Sequence, residues 1–413
     1  MPHYGIDSGS CPIRPARTPY GVTTPQAATP DPSTAIRLVQ TQGELDQLLG
    51  ELVREPLIAV DTEAASFHRY RDRVYLLQLS SRHATAVVDP LAVDLAPFGA
   101  MLADPAIEVV FHDADYDLRL LDREFDFRAT HLFDTRVAAQ LLNEPGVGLA
   151  ALLEKYLGVK LDKRFQRADW SARPLSAGML EYAAADTRNL LELRDILRNR
   201  LIELGRLAWA EEEFLLLEGV RWAGPDEAEP AYLRMKGARA LRGRALAVLR
   251  EVFAWRDSVA RKADKAAFRI INNEPMLAIA QNPPADLAGL RAIPGVGHDL
   301  VERRGADLLS AVQRAVALPE SELPRIDRPP RRAADPAFDA RVERLKAARN
   351  REATRLELAP GVLCPNGTLE AIARAQPGSR EDLAVVPGLR RWQSAEIGEA
   401  LLAALPEPAA AAQ

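Results

Sequence analysis

Cysteine is nearly absent from this sequence, which has only Cys11 and Cys364 among 413 residues. Two cysteines this far apart exclude a disulfide framework and a cysteine metal site. No apolar run approaches the roughly 18 residues that a membrane span requires. The N-terminal residues also lack the apolar core of a secretory signal. These absences predict a cytoplasmic protein without a membrane partner.

A strong net charge is also missing, since 53 Lys and Arg stand against 58 Asp and Glu, a balance of −5. Phosphate binding favours basic residues, so the total argues mildly against a nucleic-acid partner. The charge is segregated along the chain, however. Residues 203–229 carry 8 acidic and 2 basic side chains, whereas residues 232–318 carry 15 basic and 8 acidic ones. Local fields decide binding more than the sum does, so nucleic acid stays possible.

The length and the pattern of the chain predict several domains. Residues 1–35, rich in Pro, Thr, Ala and Gly, are expected to form a disordered leader. From Ile36 to residue 208, short β-rich runs alternate with helical patterns, which predicts an α/β domain with a mixed sheet. The apolar runs 57–61 and 108–112 are expected to be inner strands. An acidic linker is predicted at 209–231, and its charge switch predicts that the fragment 1–231 folds alone.

The remainder is predicted to form two small all-α domains, 232–318 and 337–405, joined by a Pro- and Arg-rich linker at 319–336 and followed by a tail at 406–413. Both domains contain Asp-Leu, apolar residues, Pro-Gly, a charged stretch, an isolated Gly and a Leu-rich helix. This repeated order predicts an internal duplication.

Acidic residues cluster where the first domain's predicted elements end. Asp61 and Glu63 close the strand LIAVD, and residues two apart on a strand project to the same face. Two carboxylates held that close are costly unless a cation lies between them. The alternative is a strand-end turn with two solvated acids, and this motif alone does not decide between them.

Two further clusters follow. Asp113, Asp115 and Asp117 come directly after the strand EVVFH, and one of the first two is expected to cap the next helix. Tyr182 and Asp186 are four residues apart and share one face of a predicted helix. A core tyrosine beside an unrelated surface acid is the alternative for the last pair.

Together these clusters supply four carboxylates and one phenol. Hard divalent cations such as Mg²⁺ take carboxylate oxygens as ligands. Two such ions, about 3.5–4 Å apart, stabilise the attacking and leaving oxygens of a phosphoryl displacement. The sequence has no zinc spacing of Cys and His and no P-loop lysine motif, so a nucleotide cofactor is not expected.

The order Asp-x-Glu, His-x-x-x-x-Asp-Leu and Tyr-x-x-x-Asp resembles the DEDD superfamily of 3′→5′ exonucleases, in its subgroup with Tyr in the third motif. The stretches LFDTRVAAQLL, GLAALLEKYLGV and ADWSARPLSAGMLEYAAADT are similar to the ribonuclease D family. The two helical domains resemble HRDC modules, which occur in tandem in that family. In the second copy PGLRRW replaces PGVG, and its match is weaker.

The resemblance implies a ribonuclease H-like exonuclease domain and a hydrolase that releases nucleoside 5′-monophosphates from RNA. The implied substrate is a single-stranded 3′ end of a structured RNA, such as a tRNA precursor. The implied cofactors are two divalent ions, Mg²⁺ or Mn²⁺. The implied metal ligands are Asp61, Glu63, Asp117 and Asp186, and Tyr182 is expected to orient the attacking water.

Several other residues are candidates for substrate binding. Phe67 and His68 follow Glu63 and can stack on bases or pack within their loop. His112 can contact substrate or serve as a structural histidine. The basic residues Arg239, Arg242 and Lys262 can track an RNA backbone or form a solvated helix face. Gln78 and Asp134 resemble family positions near the site and are expected to give structural support.

Two rival functions remain at this point. One is the same chemistry on DNA, because the sequence does not show whether a 2′-hydroxyl is contacted. The other is a catalytically inactive nucleic-acid-binding scaffold. The presence of all five motif residues favours the enzyme.

Overall fold

The fold is described from a computed structural model, which covers residues 36–224, 229–326 and 335–406. The predicted leader, most of the predicted tail and parts of both predicted linkers lie outside the described residues.

The first domain is built on one six-stranded mixed sheet. The strands are β1 Arg37–Val39, β2 Leu57–Ala64, β3 Val74–Ser80, β4 Thr85–Val88, β5 Glu108–Phe111 and β6 Leu132–Asp134. Their order across the sheet is β1-β4-β3-β2-β5-β6. Strand β2 pairs antiparallel with β3 and parallel with β5, and β5 pairs parallel with β6. The two runs predicted as inner strands therefore do lie inside the sheet.

Eight helices surround this sheet. They are α1 Gln42–Leu52, α2 Ala96–Leu102, α3 Asp115–Phe125, α4 Thr135–Leu141, α5 Leu149–Leu157, α6 Ala177–Arg188, α7 Leu190–Glu203 and α8 Leu207–Glu218. The α/β class with a mixed sheet is confirmed. Strand β6 has only three residues, too few to show a period in the sequence. Between α6 and α7 the chain leaves helical geometry at Asn189, with φ −108° and ψ 7°.

Helix α8 corrects the prediction of an acidic linker at 209–231. The first half of that segment is helical, and Ala210 and Phe214 are buried. The ring of Phe214 lies 4.7 Å from that of Phe133 on β6, measured between centroids. An amphipathic helix of this length is stabilised by its buried face rather than by propensity. Four of the acidic residues, Glu211, Glu212, Glu213 and Glu218, therefore belong to a packed helix.

The remaining helices form two separate bundles. The first helical unit (232–318) contains α9 Gly243–Ala263, α10 Asn273–Gln281, α11 Leu287–Arg291 and α12 His298–Ala317. The second helical unit (337–405) contains most of α13 Pro336–Arg355, with α14 Pro360–Leu363, α15 Asn366–Ala375, α16 Arg380–Ala384 and α17 Arg391–Ala404. The apolar core of the second unit is continuous with that of the α/β domain. The first unit has a core of its own.

One polar contact recurs in both helical units. In the first, Arg256 Nη1 donates to the carbonyl oxygen of Ile271 at 3.4 Å and to Asn273 Oδ1 at 2.8 Å. In the second, Arg349 Nη1 donates to the carbonyl of Cys364 and to Asn366 Oδ1, both at 2.9 Å. The arginine is buried in each case. The equal spacing in the chain supports the predicted internal duplication.

None of the helices in the described ranges is both long enough and apolar enough to cross a membrane.

Candidate active site

Strand β2 carries the first two carboxylates. Asp61 and Glu63 are both inside the strand, so they project to the same face of the sheet, as predicted. The register of the β2–β3 pair shifts between Glu63 and Ala64, directly after the second carboxylate. Both acids therefore lie on one face near the C-terminal end of β2, just before the loop that leads to β3.

Helix α6 lies across the sheet and brings the third carboxylate to this face. Its residues Ala183, Ala184 and Thr187 are buried, and Thr187 Oγ1 lies 2.8 Å from Ser80 Oγ on β3. The two small alanines let the helix approach the strands closely. As a result, one carboxylate oxygen each from Asp61, Glu63 and Asp186 lie within 4.8 Å of one another.

Helix α3 supplies the fourth carboxylate, Asp117, which is buried and accepts a hydrogen bond from the hydroxyl of Thr62 on β2. Asp134 anchors the start of this helix. Its carboxylate accepts from the amide of Ala114 at 2.7 Å and from those of Arg136 and Val137 at 2.8 and 3.0 Å. Asp134 thereby holds α3 and α4 together, in agreement with the predicted structural support.

The expected cap from Asp113 or Asp115 is wrong, because α3 has no side-chain cap among its own residues. Asp113 has φ 68° and accepts from Arg136 Nη1 at 2.6 Å. Asp115 accepts from Arg119, one turn along the helix, at 2.8 and 2.9 Å. Both acids are engaged by arginines, and Asp117 is the member of the cluster that faces the site.

All four carboxyl groups have pKa values raised above the usual value, and burial is the largest cause for each. Burial raises the pKa of Asp61 well above its usual value, and the charges of Asp117, Asp186 and Glu63 add to the effect. Burial also raises the pKa of Glu63, and the charges of Asp186 and Asp117 raise it further. Burial raises the pKa of both Asp117 and Asp186 to about 7. Four acids in one enclosed space thus repel one another when ionised.

This donor set fits a divalent cation. Carboxylate oxygens are the ligands that Mg²⁺ and Mn²⁺ prefer, and a cation between them removes the repulsion that raises their pKa. Gln78 adds a second observation, because it is directly opposite Asp61 in the β2–β3 pair and its side chain is fully buried on the same face. Within the described residues, neither atom of its amide has a hydrogen-bond partner. The amide is therefore free to bond a group held at the carboxylates.

Tyr182 lies one turn before Asp186 on α6. Its ring packs against Trp170 at 5.8 Å and edge-on against Phe165 at 6.2 Å between centroids. Burial raises its pKa above the ordinary value, and the charges of Asp186, Glu63 and Asp61 raise it further. The phenol is therefore neutral at physiological pH, with its environment set by the same acids that form the cluster.

His112 makes a structural contact. Its Nδ1 lies 2.9 Å from Thr135 Oγ1, and that hydroxyl donates its proton to the carbonyl of Phe111 at 3.1 Å. Nδ1 must then be the donor to Thr135, which leaves Nε2 as an acceptor. Burial lowers the pKa of His112 to about 4, with the charge of Arg136 adding to the shift. A neutral ring held in one tautomer follows, and its contact with substrate stays a prediction.

Phe67 and His68 lie in the loop between β2 and β3, which contacts the first helical unit. His68 Nε2 is 3.0 Å from the carbonyl oxygen of Arg167, and the carbonyl of His68 accepts from the amide of Ala266 at 3.1 Å. His68 is thus committed to contacts within the protein. Phe67 remains 43% exposed.

The three basic candidates are at opposite ends of α9. Arg239 pairs with Glu229 at 2.6 Å, and Arg242 donates to the carbonyl of Arg239 at 2.6 Å, both just before the helix begins. Lys262 lies near the other end of the helix, two residues before Asp264. The carboxylate of Asp264 accepts a hydrogen bond from the amide of Tyr70 in the loop between β2 and β3. A helix of 21 residues is about 30 Å long, so these side chains do not converge on one place. Their binding of RNA remains a prediction.

Residues 164–173 lie beside the active site, and the sequence did not predict this position. Arg164 lies over the ring of Phe165 and Arg167 over that of Phe67, at 5.9 and 5.3 Å from the centroids. Arg173 fixes this segment to the sheet through Asp89, at 2.6 and 2.9 Å. Residues 168–173 belong to a stretch that resembles the family, but residues 164–167 offered only a density of arginines and an aromatic, which is also typical of an exposed loop.

Comparison with known proteins agrees with this geometry. A family described as 3′-5′ exonuclease matches residues 36–202, and the HRDC domain family matches residues 245–312 and 338–405. The chain is 34% identical to ribonuclease D of Granulibacter bethesdensis over 371 residues, which cover 89% of this chain and 91% of that protein.

Two solved structures are also similar. The crystal structure of Escherichia coli RNase D, described as an exoribonuclease involved in structured RNA processing, has a TM-score of 0.66 at 27% identity, covering 90% of this chain and 98% of that one. The catalytic core of RRP6 from Trypanosoma brucei has a TM-score of 0.63 at 32% identity, covering 69% and 81%.

The mixed sheet, the acidic cluster on its central strand and the matching family define the class of the protein, a 3′→5′ exonuclease followed by two HRDC domains. The sequence identity to ribonuclease D proteins over most of the chain identifies the family within this class. The chain belongs to the ribonuclease D family and is a hydrolase of the 3′→5′ exoribonuclease type. Both the predicted family and the predicted activity are confirmed, and the acidic cluster together with the family supports the use of divalent metal.

Proposed function

We propose that the chain removes nucleotides one at a time from single-stranded 3′ ends of RNA, using two Mg²⁺ or Mn²⁺ ions and releasing nucleoside 5′-monophosphates. The observation that carries the proposal is the convergence of Asp61, Glu63 and Asp186 within 4.8 Å, with Asp117 beside them. Such a set of buried acids has no evident structural use, because it destabilises the fold when ionised.

In this proposal the four carboxylates are the metal ligands. Strand β2 fixes two of them, α6 the third and α3 the fourth, so three elements must be in register for the site to form. Asp134 keeps α3 in place, and Thr62 orients the Asp117 carboxylate. Bound divalent cations would lower the pKa of the attacking water and stabilise charge on the leaving oxygen.

Tyr182 orients the attacking water. A phenol whose pKa is raised above its ordinary value is not a base at neutral pH, but its hydroxyl can accept and donate one hydrogen bond each. It lies one helical turn from Asp186, at the edge of the acidic cluster. The ring contacts with Trp170 and Phe165 hold it there.

We further propose a role in processing the 3′ ends of stable RNA such as tRNA precursors. The support is the Escherichia coli relative, which is described as acting in structured RNA processing. A DNA-directed exonuclease is the alternative for substrate preference, because the same metal-dependent displacement can act on either nucleic acid. The cytoplasmic location predicted from the sequence stays a prediction.

The test compares the full-length protein with Asp186→Asn on matched RNA and DNA oligonucleotides, with Mg²⁺, with Mn²⁺ and with a chelator. We expect stepwise 3′ shortening of the RNA and release of 5′-monophosphates by the wild type, and no shortening by the variant or with chelator. Both proteins should bind RNA and unfold cooperatively. Turnover of Asp186→Asn close to the wild type would contradict the metal assignment, and faster digestion of DNA would contradict the substrate assignment.

A further inference from the structure

The loop between β2 and β3 joins the active site to the first helical unit. This docking loop, residues 65–73, begins two residues after Glu63. Arg269 Nε donates to the carbonyl of Phe67 at 2.5 Å, and the hydroxyl of Tyr70 donates to Asp257 at 2.7 Å. The two domains are thus held together mainly by polar contacts along this loop.

Two exposed phenylalanines meet at this junction. Phe67 of the docking loop is 43% exposed, and Phe268 of the first helical unit is 46% exposed. Their ring centroids are 6.3 Å apart at an interplanar angle of 74°. Each domain therefore contributes one ring to a small apolar surface, which we term the Phe67–Phe268 shelf. Phenylalanine is usually buried, and exposed apolar side chains that lie together often mark a binding surface.

Basic side chains lie next to both rings of the shelf. The guanidinium of Arg167 lies over one face of the Phe67 ring, 5.3 Å from its centroid. Arg269, which follows Phe268 in the chain, borders a cavity of about 190 Å³ in the first helical unit, which is also lined by Lys265, Arg303 and Arg304. Asp299 is the acidic residue of this lining, and Arg303 pairs with it at 2.8 Å. The lining of this cavity, with four basic side chains and one acidic, therefore attracts a negatively charged partner, whereas the docking loop itself is paired with Asp169 and Asp264.

The shelf is close to the acidic cluster. Phe67 is four positions after Glu63, which limits the distance between their Cα atoms to about 14 Å. A second set of contacts also connects the shelf to the cluster. Phe165 packs edge-on against Tyr182, and Arg167, two residues later, lies over Phe67. A strand whose 3′ end is at the carboxylates would pass this surface within a few nucleotides.

We propose that the Phe67–Phe268 shelf stacks bases of single-stranded RNA upstream of the scissile bond and that the adjoining basic cavity receives the phosphates beyond them. The proposal deepens the exoribonuclease function and rests on it. Exposed aromatic rings beside cationic side chains are the common means of holding a single strand without reading its sequence. Any base has a face to stack, which suits an enzyme that advances along its substrate.

This arrangement assigns the first helical unit a task of its own. Phe268 and the cavity both belong to that unit, whereas the carboxylates belong to the α/β domain. Substrates too short to reach the shelf should then be cleaved without its help. A longer strand gains affinity from the stacking.

The test is a double-mutant cycle in which protein variants are combined with modified RNA substrates. Phe268→Ala is made in the full chain, alone for turnover and with Asp186→Asn for binding, so that the RNA stays intact. Kd is measured for a single-stranded RNA long enough to cross the shelf and for versions with one abasic nucleotide at successive positions from the 3′ end. Phe268→Tyr keeps the ring, and Val385→Ala removes an exposed apolar side chain in the second helical unit.

We expect Phe268→Ala to raise Kd for the intact strand about 5- to 100-fold, the range for loss of one stacked base. Its kcat/KM on a dinucleotide should be unchanged, and Phe268→Tyr and Val385→Ala should resemble the wild type. An abasic nucleotide at one or two adjacent positions should weaken binding by protein with Phe268 but not further weaken binding by Phe268→Ala.

A flat abasic profile, or the same abasic penalty with and without Phe268, overturns the shelf. Failure of the proposed function gives a different pattern. If the wild type hydrolyses neither RNA nor DNA while the abasic penalty still depends on Phe268, the enzyme assignment fails and the shelf stands as a single-strand binding surface.

Discussion

The indole rings of Trp209 and Trp392 stack with 4.8 Å between their centroids and 15° between their planes. This contact joins α8 of the α/β domain to α17 of the second helical unit. Glu212 accepts from the amides of Arg391 and Trp392 at 2.7 and 3.0 Å, at the first turn of α17. Negative charge is favourable at the N-terminus of a helix, so the acidic face of α8 is a docking surface.

Trp209→Ala is expected to lower the free energy of unfolding by about 2–4 kcal/mol, through the lost stacking and the cavity left beside Trp392. For the same reason the fragment 1–231, which the charge pattern predicts to fold alone, should be markedly destabilised. The measurement is chemical denaturation followed by circular dichroism. Trp222→Ala serves as the control, because Trp222 is 42% exposed, and it should cost less than about 1 kcal/mol. Equal losses in the two variants would show that the stacking contributes little.

Tyr182→Phe should slow the chemical step by roughly 10²–10⁴-fold, because it removes the hydroxyl that orients the water and leaves the ring contacts with Trp170 and Phe165 in place. Metal and RNA affinity should change little. Single-turnover cleavage of a labelled RNA across Mg²⁺ concentrations measures the effect, and Tyr232→Phe in the first helical unit is the matched control. A wild-type rate for Tyr182→Phe would reduce Tyr182 to a packing residue.

The metal-free protein is expected to lose stability as the pH rises from about 4 to above 7. The cluster carboxyls have folded pKa values above their unfolded ones, and those of Asp117 and Asp186 are about 7. The folded state therefore binds more protons than the unfolded state in this window, and the free energy of unfolding falls with pH. Adding Mg²⁺ should restore more stability at pH 8 than at pH 5.

Thermal unfolding of wild type and Asp186→Asn, across pH and with and without Mg²⁺, isolates this effect from other titrations. The variant has one ionisable group fewer in the cluster, so its metal-free profile should be flatter and its gain from Mg²⁺ smaller. Parallel profiles for the two proteins would argue against mutual repulsion in the cluster.

Gln78→Leu should separate stability from activity. The buried amide has no partner within the described part of the chain, so an apolar side chain of similar size should leave the metal-free protein as stable or up to about 1 kcal/mol more stable. Mg²⁺ affinity, followed by titration calorimetry, and turnover should both decrease, because the amide faces Asp61. Gln140→Leu on α4 provides the comparison. A Gln78→Leu protein that is less stable but fully active would contradict this assignment.

Sequence periodicity predicted which acidic residues share a face, and the family resemblance assigned them to one site. Asp61 and Glu63 share a strand face because the side-chain period of a strand is two, and Tyr182 and Asp186 share a helix face because they are four apart. Both relationships are local, so they do not depend on how the chain folds back. The α/β class followed from the same alternation of patterns.

The contacts that local patterns did not predict join distant parts of the chain, even for Gln78 and Asp134, which the family resemblance had placed near the site. Gln78 is significant only because β3 pairs with β2 in a register that places it opposite Asp61. Asp134 looks like the end of a short apolar run, yet its carboxylate ties together two helices. The acids of α8 read as a solvated linker because their partner, the start of α17, lies about 180 residues further along the chain. No local pattern contains such pairings.

The arginine–asparagine contact is common to the two helical units, although they pack against two different neighbours. The internal scaffold of the bundle is retained through Arg256 in one copy and Arg349 in the other. What has diverged is the outer surface: one copy offers Trp392 to α8, and the other offers Phe268 and Arg269 to the docking loop. A chimaera in which the two helical units are exchanged would thus keep both bundles folded. It would lose the contacts of each unit with the α/β domain, so its defects would arise at the domain interfaces.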